Sequence, residues 1–262
     1  MSGRHVTVGI RRNVMAEVKH ILILANSERE GGRCIAGKLA TPLEGENFDV
    51  GQHWVRLNNP SSPGGGAVPY EHTLCRPPSR SAVRPLDVIK VALLDRCNNP
   101  DHPEDWNYDP NQPWEWVAAS NVGCFAAVVD TPPALWNDGN DKAVQAGYIR
   151  KMANPASLYL IKAPSRWNFS WFKEWNSFKG YHKKRRRLQM TFGRQYHDFS
   201  VTDSNFDGRF KLPNAASQWP DSPAPLTVPN PGDMYFCLSL TGLTPPDFVS
   251  HHYKICATIF EP

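Results

Sequence analysis

The chain has 262 residues, of which 40% are hydrophobic and 21% are charged, and its formal net charge at pH 7 is +4. That length holds one large domain or two small ones, and the apolar content is enough for a buried core. No apolar run is longer than six residues, which is far too short to cross a bilayer, and no apolar segment of the signal-peptide type lies near the N-terminus, so we expect neither a membrane protein nor a secreted one.

The first half of the chain predicts short β-strands. Residues 1–18 are expected to form a flexible extension, within which Met15 is as good a start as Met1. The segment 98–117 is so rich in prolines and asparagines before Trp114 that we predict a loop with at most one helical turn. Short apolar runs predict strands at 20–24, 33–37, 53–57 and 85–94.

The second half also predicts strands, after a connection at residues 130–154 that holds the best helix candidate, 141–152. From Trp167 to Trp171 aromatic and small polar residues alternate, which favours a strand, although Trp167, Trp171 and Trp175 also have helical spacing. A hairpin turn is predicted at Gly193. The remaining strands are expected at 157–162, 185–192, 196–201, 233–240 and 253–260.

About nine or ten strands therefore fall into two groups, at residues 19–129 and 155–262. Groups of about five short strands are typical of small barrels or sandwiches. The 24 prolines and 18 glycines indicate long irregular connections. We expect an all-β chain with minor α content, built as two small domains in tandem.

The net charge conceals two blocks of opposite sign. Residues 166–211 contain eleven Lys or Arg and four Asp or Glu, a net of +7, whereas residues 98–141 contain eight acids and no Lys or Arg, a net of −8. The two blocks could pair with each other. Adjacent cations nevertheless gain more from a polyanion than scattered ones, because they release its condensed counterions, and this favours an external anion.

The basic block is centred on five consecutive cations set among aromatic residues. A cationic track beside aromatic rings suits single-stranded nucleic acid, with phosphates on the charges and bases on the rings. A nuclear-localisation-like tract or a solvated loop is the alternative, and the tryptophans could instead fill the core. The predicted contacts are Lys183, Lys184, Arg185, Arg186, Arg187, Arg194, Trp175 and Tyr181.

A second candidate site lies in the first half of the chain. Ser27 ends a predicted strand before a glycine turn that would let backbone amides approach a phosphate. Arg33 and Arg56 could clamp that phosphate, with Trp54 beside them. Alternatively, Ser27 only makes a turn and the arginines pair with acids such as Asp87.

Chemistry-bearing motifs are scarce. Asp101, His102, Glu104 and Asp105 form the one concentration of possible metal ligands, but neighbours on an extended loop rarely converge on one ion. Six dispersed cysteines form no C-x-x-C pair, which indicates reduced thiols in the cytoplasm and no zinc site. No nucleophile-elbow, Walker or dinucleotide-binding pattern occurs. We therefore predict no catalytic residues, no metal and no cofactor.

Several short motifs follow one another in a specific order. They lie at residues 20–27, 31–37, 54–56, 85–91, 103–106, 114–117, 184–187, 201–203 and 253–257. Together they resemble a bacterial family, the dual OB-fold (DuOB) domain proteins, over nearly the whole chain. Glu28, the Leu57-Asn58-Asn59 sequence after Arg56, and an enlarged segment at 167–180 depart from the family pattern.

The resemblance implies two tandem OB-type barrels and a genomic setting among prokaryotic defence or DNA-processing genes. The function expected from residues and resemblance together is a nucleic-acid recognition module for single-stranded or distorted DNA or RNA. It would act with separately encoded enzymes and partner proteins of the same operon. The alternatives are a metal-dependent nuclease or base-modifying enzyme acting through residues 101–105, and a nucleotide sensor acting through Arg33 and Arg56.

Overall fold

The structure is a computed structural model that describes residues 15–29, 32–44, 47–61, 66–228, 231–242 and 251–261. The predicted N-terminal extension lies outside the described residues up to residue 14. The strands of the first half are β1 (Glu17–Arg29), β2 (Gly32–Pro42), β3 (Phe48–Asn58), β4 (Leu74–Arg76), β5 (Ser81–Ala82), β6 (Asp87–Arg96), β7 (Asp105–Tyr108) and β8 (Glu115–Ala119).

The second half is likewise built mainly of strands. They are β9 (Ala143–Gln145), β10 (Leu158–Lys162), β11 (Trp167–Asn176), β12 (Tyr181–Phe192), β13 (Gln195–Val201), β14 (Ala224–Leu226), β15 (Tyr235–Leu240) and β16 (His251–Phe260). The α-helices are single turns, α1 (Phe125–Val128) and α2 (Phe206–Arg209), and short 3-10 turns occur at Tyr70–Thr73, Val122–Cys124, Ile149–Lys151, Ala216–Gln218 and Pro231–Asp233. None of the helices described is long and apolar enough to span a membrane.

The first barrel closes through its long first strand. The first part of β1 pairs with β6 and its later part with β2, while the order β1-β2-β3-β7-β6 completes the circuit. The β3–β7 pairing is parallel and the other pairings are antiparallel. This is the connectivity of an OB-fold barrel of five strands.

The second barrel repeats this connectivity with a divided first strand. β10 pairs with β15 and β11 pairs with β12. Together β10 and β11 therefore take the position that β1 alone occupies in the first barrel. The order β11-β12-β13-β16-β15-β10 again contains one parallel pairing, β13–β16. β12 and β13 therefore correspond to the second and third strands of an OB-fold.

Apolar side chains at alternate positions along the strands fill the interiors of the two barrels. Ile21, Ile23, Val55 and Ile89 point into the first barrel, where they are fully buried. In the second barrel, paired strands carry fully buried side chains that pack together, among them Phe169, Leu188, Phe199 and Phe236. Period-two burial of this kind is what the apolar patterns of the sequence predict.

A third apolar cluster joins the two barrels. Leu22, Leu24 and Ala36 point outward from the first barrel, on the opposite side of β1 and β2 from its interior. They pack against outward-facing residues of the second barrel that include Leu160 and Ile255. The outer face of the first barrel is consequently closed by the second.

Three expectations about elements are corrected. The segment 98–117 contains β7 and the start of β8, which pair with longer strands and so need little apolar sequence of their own. The helix predicted at 141–152 is absent, because β9 pairs with β16 and Gly147 adopts a positive φ of 77°. Glu17 and Val18 are not part of an extension, since they pair with β6.

Candidate nucleic-acid interface

The β11–β12 hairpin carries the predicted cationic tract. Arg187 pairs with Ser200 and Leu188 with Phe199, a core residue, so odd-numbered residues of β12 point away from the barrel interior. Lys183, Arg185 and Arg187 therefore line the outer face of β12. Lys184 and Arg186 occupy the other face, beyond the end of the packed core.

Four of the five cations have carboxylate partners within the same protein. Arg185 Nε donates to Glu174 Oε2 at 2.6 Å, and Arg187 Nε donates to Asp198 Oδ1 at 2.7 Å. Lys184 and Arg186 share Asp207. Burial alone would raise the pKa of Asp207, but the hydrogen bonds from Arg186 and Lys184 lower it. The tract is thus paired with acids of its own block, and among the described residues it has no ion pair with the acidic segment 98–141.

Lys184 and Arg186, the inner cations of the tract, lie over a tryptophan that was not selected from the sequence. The Lys184 Nζ atom lies 5.0 Å from the ring centre of Trp219, and the Arg186 guanidinium carbon lies 5.2 Å from it. Trp219 is 2% exposed and meets Trp171 edge-on at 5.1 Å. Trp171 and Trp219 therefore pack in the second barrel. For Trp171 this matches the alternative raised from the sequence, that the tryptophans fill the core.

Lys183 differs from its neighbours. Within the described part of the chain it has no carboxylate within 4.0 Å, and its pKa is lowered by burial and by the charges of Arg185 and Lys179. The local potential around Lys183 is therefore positive. Arg194 is exposed but lies in the turn at the other end of β12, some eleven residues or about 36 Å along an extended strand.

Three aromatic rings are exposed at the tip of this hairpin. The relative exposure is 57% for Trp175, 100% for Phe178 and 49% for Tyr181. Trp175 meets His182 of the facing strand with ring centres 5.1 Å apart. Trp175 and Tyr181 are both exposed, but they lie on opposite faces of the hairpin, because Trp175 pairs with His182 and Tyr181 shares the face of Lys183. Phe178 was not selected from the sequence.

A cleft of about 490 Å³ lies beside the tract, between the two barrels. Lys183 to Arg186 form one wall, and residues 200–204, which follow β13, form another. Glu28 from the end of β1 closes the third side. A backbone bridge between Ser27 and Asp203 holds the end of β1 against the second barrel here. This volume lies within the range of ~300–1,000 Å³ that ligand pockets occupy.

The second predicted site is not assembled as a phosphate clamp. Ser27 is buried at the Asp203 bridge, and the Arg33 guanidinium stacks over Tyr70 with 5.4 Å to the ring centre. Arg56 pairs with Ala36, three residues further along β2 than Arg33 and on the outer face of the barrel. The two arginines therefore do not converge, and the second barrel covers the face that holds Arg56.

Arg56 instead joins the barrels through buried hydrogen bonds. Its guanidinium donates to the hydroxyl oxygens of Ser157 and Ser239 in the second barrel, at 3.0 and 3.1 Å, and it pairs with Asp105 at 3.2 Å. Burial alone would lower the pKa of Arg56, but the charge of Asp105 raises it. The expected pairing with Asp87 belongs to Arg76.

The acidic residues 101–105 belong to the same contact between the barrels. Glu104 accepts hydrogen bonds from the backbone nitrogen and hydroxyl group of Ser157, both at 2.7 Å. Asp101 accepts two bonds from Arg150, at 3.0 and 2.8 Å. These carboxylates therefore bind protein donors. Over the described ranges no three His, Cys, Asp or Glu side chains are grouped so as to hold a metal ion, and all six cysteines are free thiols.

Trp54, which is partly buried, contributes to a second link between the barrels. Its indole nitrogen donates to Asp130 at 3.0 Å, and Asp130 also accepts from Lys38 at 2.6 Å. Lys38 is fully buried, with its Nζ 5.2 Å from the Trp54 ring centre, and burial lowers its pKa despite the charge of Asp130. Asp130 additionally accepts from the backbone of Leu160 in the second barrel at 2.7 Å. Lys38 gave no recognisable signal in the sequence.

Solved structures give only weak likenesses. A replication protein A heterotrimer bound to ssDNA is 6% identical with a TM-score of 0.31, over 91% of this chain and 47% of that one. The p204 HINb domain is 13% identical with a TM-score of 0.27, over 92% of this chain and 97% of that one. The chain thus spans about half the length of the replication protein A chain. No curated protein matches it.

The family comparison covers both barrels. The family described as the dual OB-containing domain matches residues 19–259, which begin within β1 and end within β16. This span includes the closed circuit of strands of the first barrel and the sheet of the second, each with one parallel pairing. The chain accordingly belongs to the dual OB-containing domain (DuOB) family.

Proposed function

We propose that the protein binds single-stranded or distorted nucleic acid on the outer face of its second barrel. The observation that carries this proposal is the exposure of Tyr181 beside Lys183 on the outer face of β12, with Trp175 exposed across the hairpin tip on the face of His182. OB-fold proteins bind oligonucleotides on the face of their second and third strands, which here are β12 and β13. Lys183 and Arg185 for phosphates and Tyr181 for a base then lie on one surface, and a strand that passes around the exposed hairpin tip also reaches Trp175.

The intramolecular ion pairs divide the cations into two groups. Glu174, the partner of Arg185, has a side chain that is 52% exposed, and exposed pairs contribute only ~0–1 kcal/mol. A phosphate can therefore replace Glu174 at little cost. Asp198 and Asp207 are more buried and hold Arg187, Lys184 and Arg186 in place. We expect Lys183 and Arg185 to make the main phosphate contacts. Arg187, Lys184 and Arg186 mainly hold the surface in place through their ion pairs.

The first barrel has a supporting role in this proposal. Its corresponding face carries Ala36, Trp54 and Arg56, which are engaged with the second barrel. Arg33 lies outside that contact, near the cleft-lining residue Glu28 at 3.9 Å. We infer one nucleic-acid surface for the chain rather than one for each barrel.

The cellular setting is also a proposal. The resemblance implies a prokaryotic antiviral defence or DNA-processing locus, where a recognition module without chemistry of its own would act beside separately encoded enzymes. Partner proteins from the same operon and a cytoplasmic location agree with this setting. Co-purification of operon products with the tagged protein from its native host tests it, and their absence would leave only the binding function.

Titration of the purified protein with labelled single strands at several salt concentrations tests the binding function. Two or three phosphate contacts predict that the logarithm of affinity falls with the logarithm of salt with a slope of about −1.4 to −2, at ~0.7 per contact. Nuclease-sensitive nucleic acid retained on the purified protein would agree. Absence of binding to DNA and RNA at low salt would contradict the proposal.

A further inference from the structure

We propose that Phe178 at the tip of the β11–β12 hairpin is a wedge that unstacks bases where a single strand meets a duplex. The inference rests on the proposed function and specifies its substrate as a junction between strands. Phe178 is 100% exposed. Its ring packs against none of the residues that the structure describes, so inserting it between bases would remove its apolar surface from water and gain hydrophobic free energy.

The backbone presents Phe178 in a fixed turn. The Asn176 side-chain oxygen accepts from the backbone nitrogens of Phe178 and Lys179, each at 3.1 Å. The Asn176 carbonyl accepts from the nitrogens of Lys179 and Gly180 at 3.2 and 2.9 Å, and Gly180 has a positive φ of 67°, which glycine adopts readily. A turn ordered in advance loses less conformational entropy on insertion than a slack loop would.

The surroundings of the tip match nucleic acid in charge and shape. Lys179 lies next to Phe178, Lys183 follows on β12, and the rings of Trp175 and Tyr181 stand behind the tip. Proteins that kink or open duplexes insert single apolar side chains between base steps while cations hold the flanking phosphates. The cleft beside residues 183–186 lies behind the tip, where a separated strand could enter.

An anionic membrane would attract the same cations, but a protein needs a different apolar surface to insert into it. Insertion into a lipid interface draws on a broad apolar face, as in amphipathic helices. The hairpin instead carries one ring, Phe178, at its tip, and the exposed rings of Trp175 and Tyr181 lie behind it. These observations favour bases over lipid as the partner of Phe178.

The test compares wild type, Phe178→Ala and Phe178→Tyr on two probes. One is a forked oligonucleotide with 2-aminopurine at its first paired position, and the other is the same single strand without a complement. Leu43→Ala is the control, because Leu43 is a 53% exposed apolar residue in the first barrel. Thermal melting is expected to be unchanged in all variants, because none of these side chains is buried.

We expect wild type to raise the 2-aminopurine fluorescence of the fork. Phe178→Ala should abolish that rise and weaken fork binding by about 5- to 150-fold, the range for one stacked base, while single-strand affinity stays within about twofold. Phe178→Tyr and Leu43→Ala should behave as wild type.

Other outcomes would overturn the wedge. An equal loss on both probes would make Phe178 an ordinary stacking residue and leave the proposed function intact. Unchanged fork binding, together with loss of binding to phosphatidylserine vesicles, would assign the tip to a membrane. Failure of wild type to bind either probe would reject the proposed function itself.

Discussion

The Arg56 guanidinium of the first barrel lies 3.1 Å from the Ser239 hydroxyl oxygen of the second barrel. Both side chains are buried, in a layer that also contains the apolar contacts of Leu22 and Leu160. The contact uses the face on which an OB-fold would otherwise bind its ligand, at β2 and β3 of the first barrel. This is the physical reason why the proposed nucleic-acid surface lies on the second barrel alone.

Removal of Arg56 should destabilise both barrels together. Arg56→Ala leaves Asp105 buried without this cation, and breaking a buried pair costs about 3–5 kcal/mol. Denaturant unfolding followed by tryptophan fluorescence and by circular dichroism should show one coincident transition, shifted to lower denaturant. Arg194→Ala, at an exposed turn, is the control and should change little. Two separate transitions in the wild type would contradict the shared layer and support two independent domains joined at 130–154.

Single glutamine substitutions should separate binding from stability within the tract. Lys183→Gln is expected to weaken binding nearly uniformly across sequences and to reduce the salt slope by ~0.7 on single strands and ~0.9 on duplex. Arg186→Gln should instead lower stability, by about 1–3 kcal/mol, because it removes the bidentate partner of Asp207. Affinity and melting of the two variants provide the measurement. If replacing all of 183–187 leaves both affinity and salt slope unchanged, the tract has no role in binding.

The exposed and buried tryptophans should respond in opposite ways. Trp175→Ala and Tyr181→Ala should each cost ~1–3 kcal/mol of single-strand affinity with little change in stability. Trp219→Ala should cost about 3–5 kcal/mol of stability, because this ring is buried under Lys184 and Arg186. A large fall in melting temperature for Trp175→Ala, with wild-type affinity in the folded fraction, would assign its ring to the core.

A buried histidine should make stability depend on pH. Burial and the charge of Lys254 lower the pKa of His197 to about 4, so the unfolded state binds this proton more tightly than the folded state. The stability contributed by neutral His197 is present above about pH 6.5 and is lost as pH falls towards 4, by about 3 kcal/mol in all. His197→Gln should flatten this part of the stability profile, while exposed His182→Gln should not. An equal slope in both variants would exclude His197 as its source.

Local patterns were sufficient for most of the strands. The apolar run 21–24 and the alternation around Phe169, Leu188 and Phe199 are properties of adjacent residues, and they predict the strands that fill each barrel. β7 and β9 were missed because each is short and is stabilised by pairing with a distant strand. The helix predicted at 141–152 failed for the same reason, since tertiary pairing outweighs local propensity.

The sequence predicts which cations and rings make up the candidate site, but not which carboxylates pair with those cations. The cations of β12 and the rings near them are visible in the sequence. Asp207 lies 21 residues beyond Arg186, and nothing local indicates that it neutralises Arg186 and Lys184. The burial of Arg56 and the hydrogen bond of Trp54 to Asp130 were equally hidden, because they depend on how one barrel packs on the other.

Photocrosslinking of a single strand that carries photoreactive bases tests the central claim most directly. Mass spectrometry would locate the cross-linked peptides at low and at moderate salt, with a single strand lacking the photoreactive group as control. The account predicts adducts at Trp175 and Tyr181 of the second barrel and none at Trp54 of the first. Adducts concentrated at Trp54, with none on the β11–β12 hairpin, would contradict it.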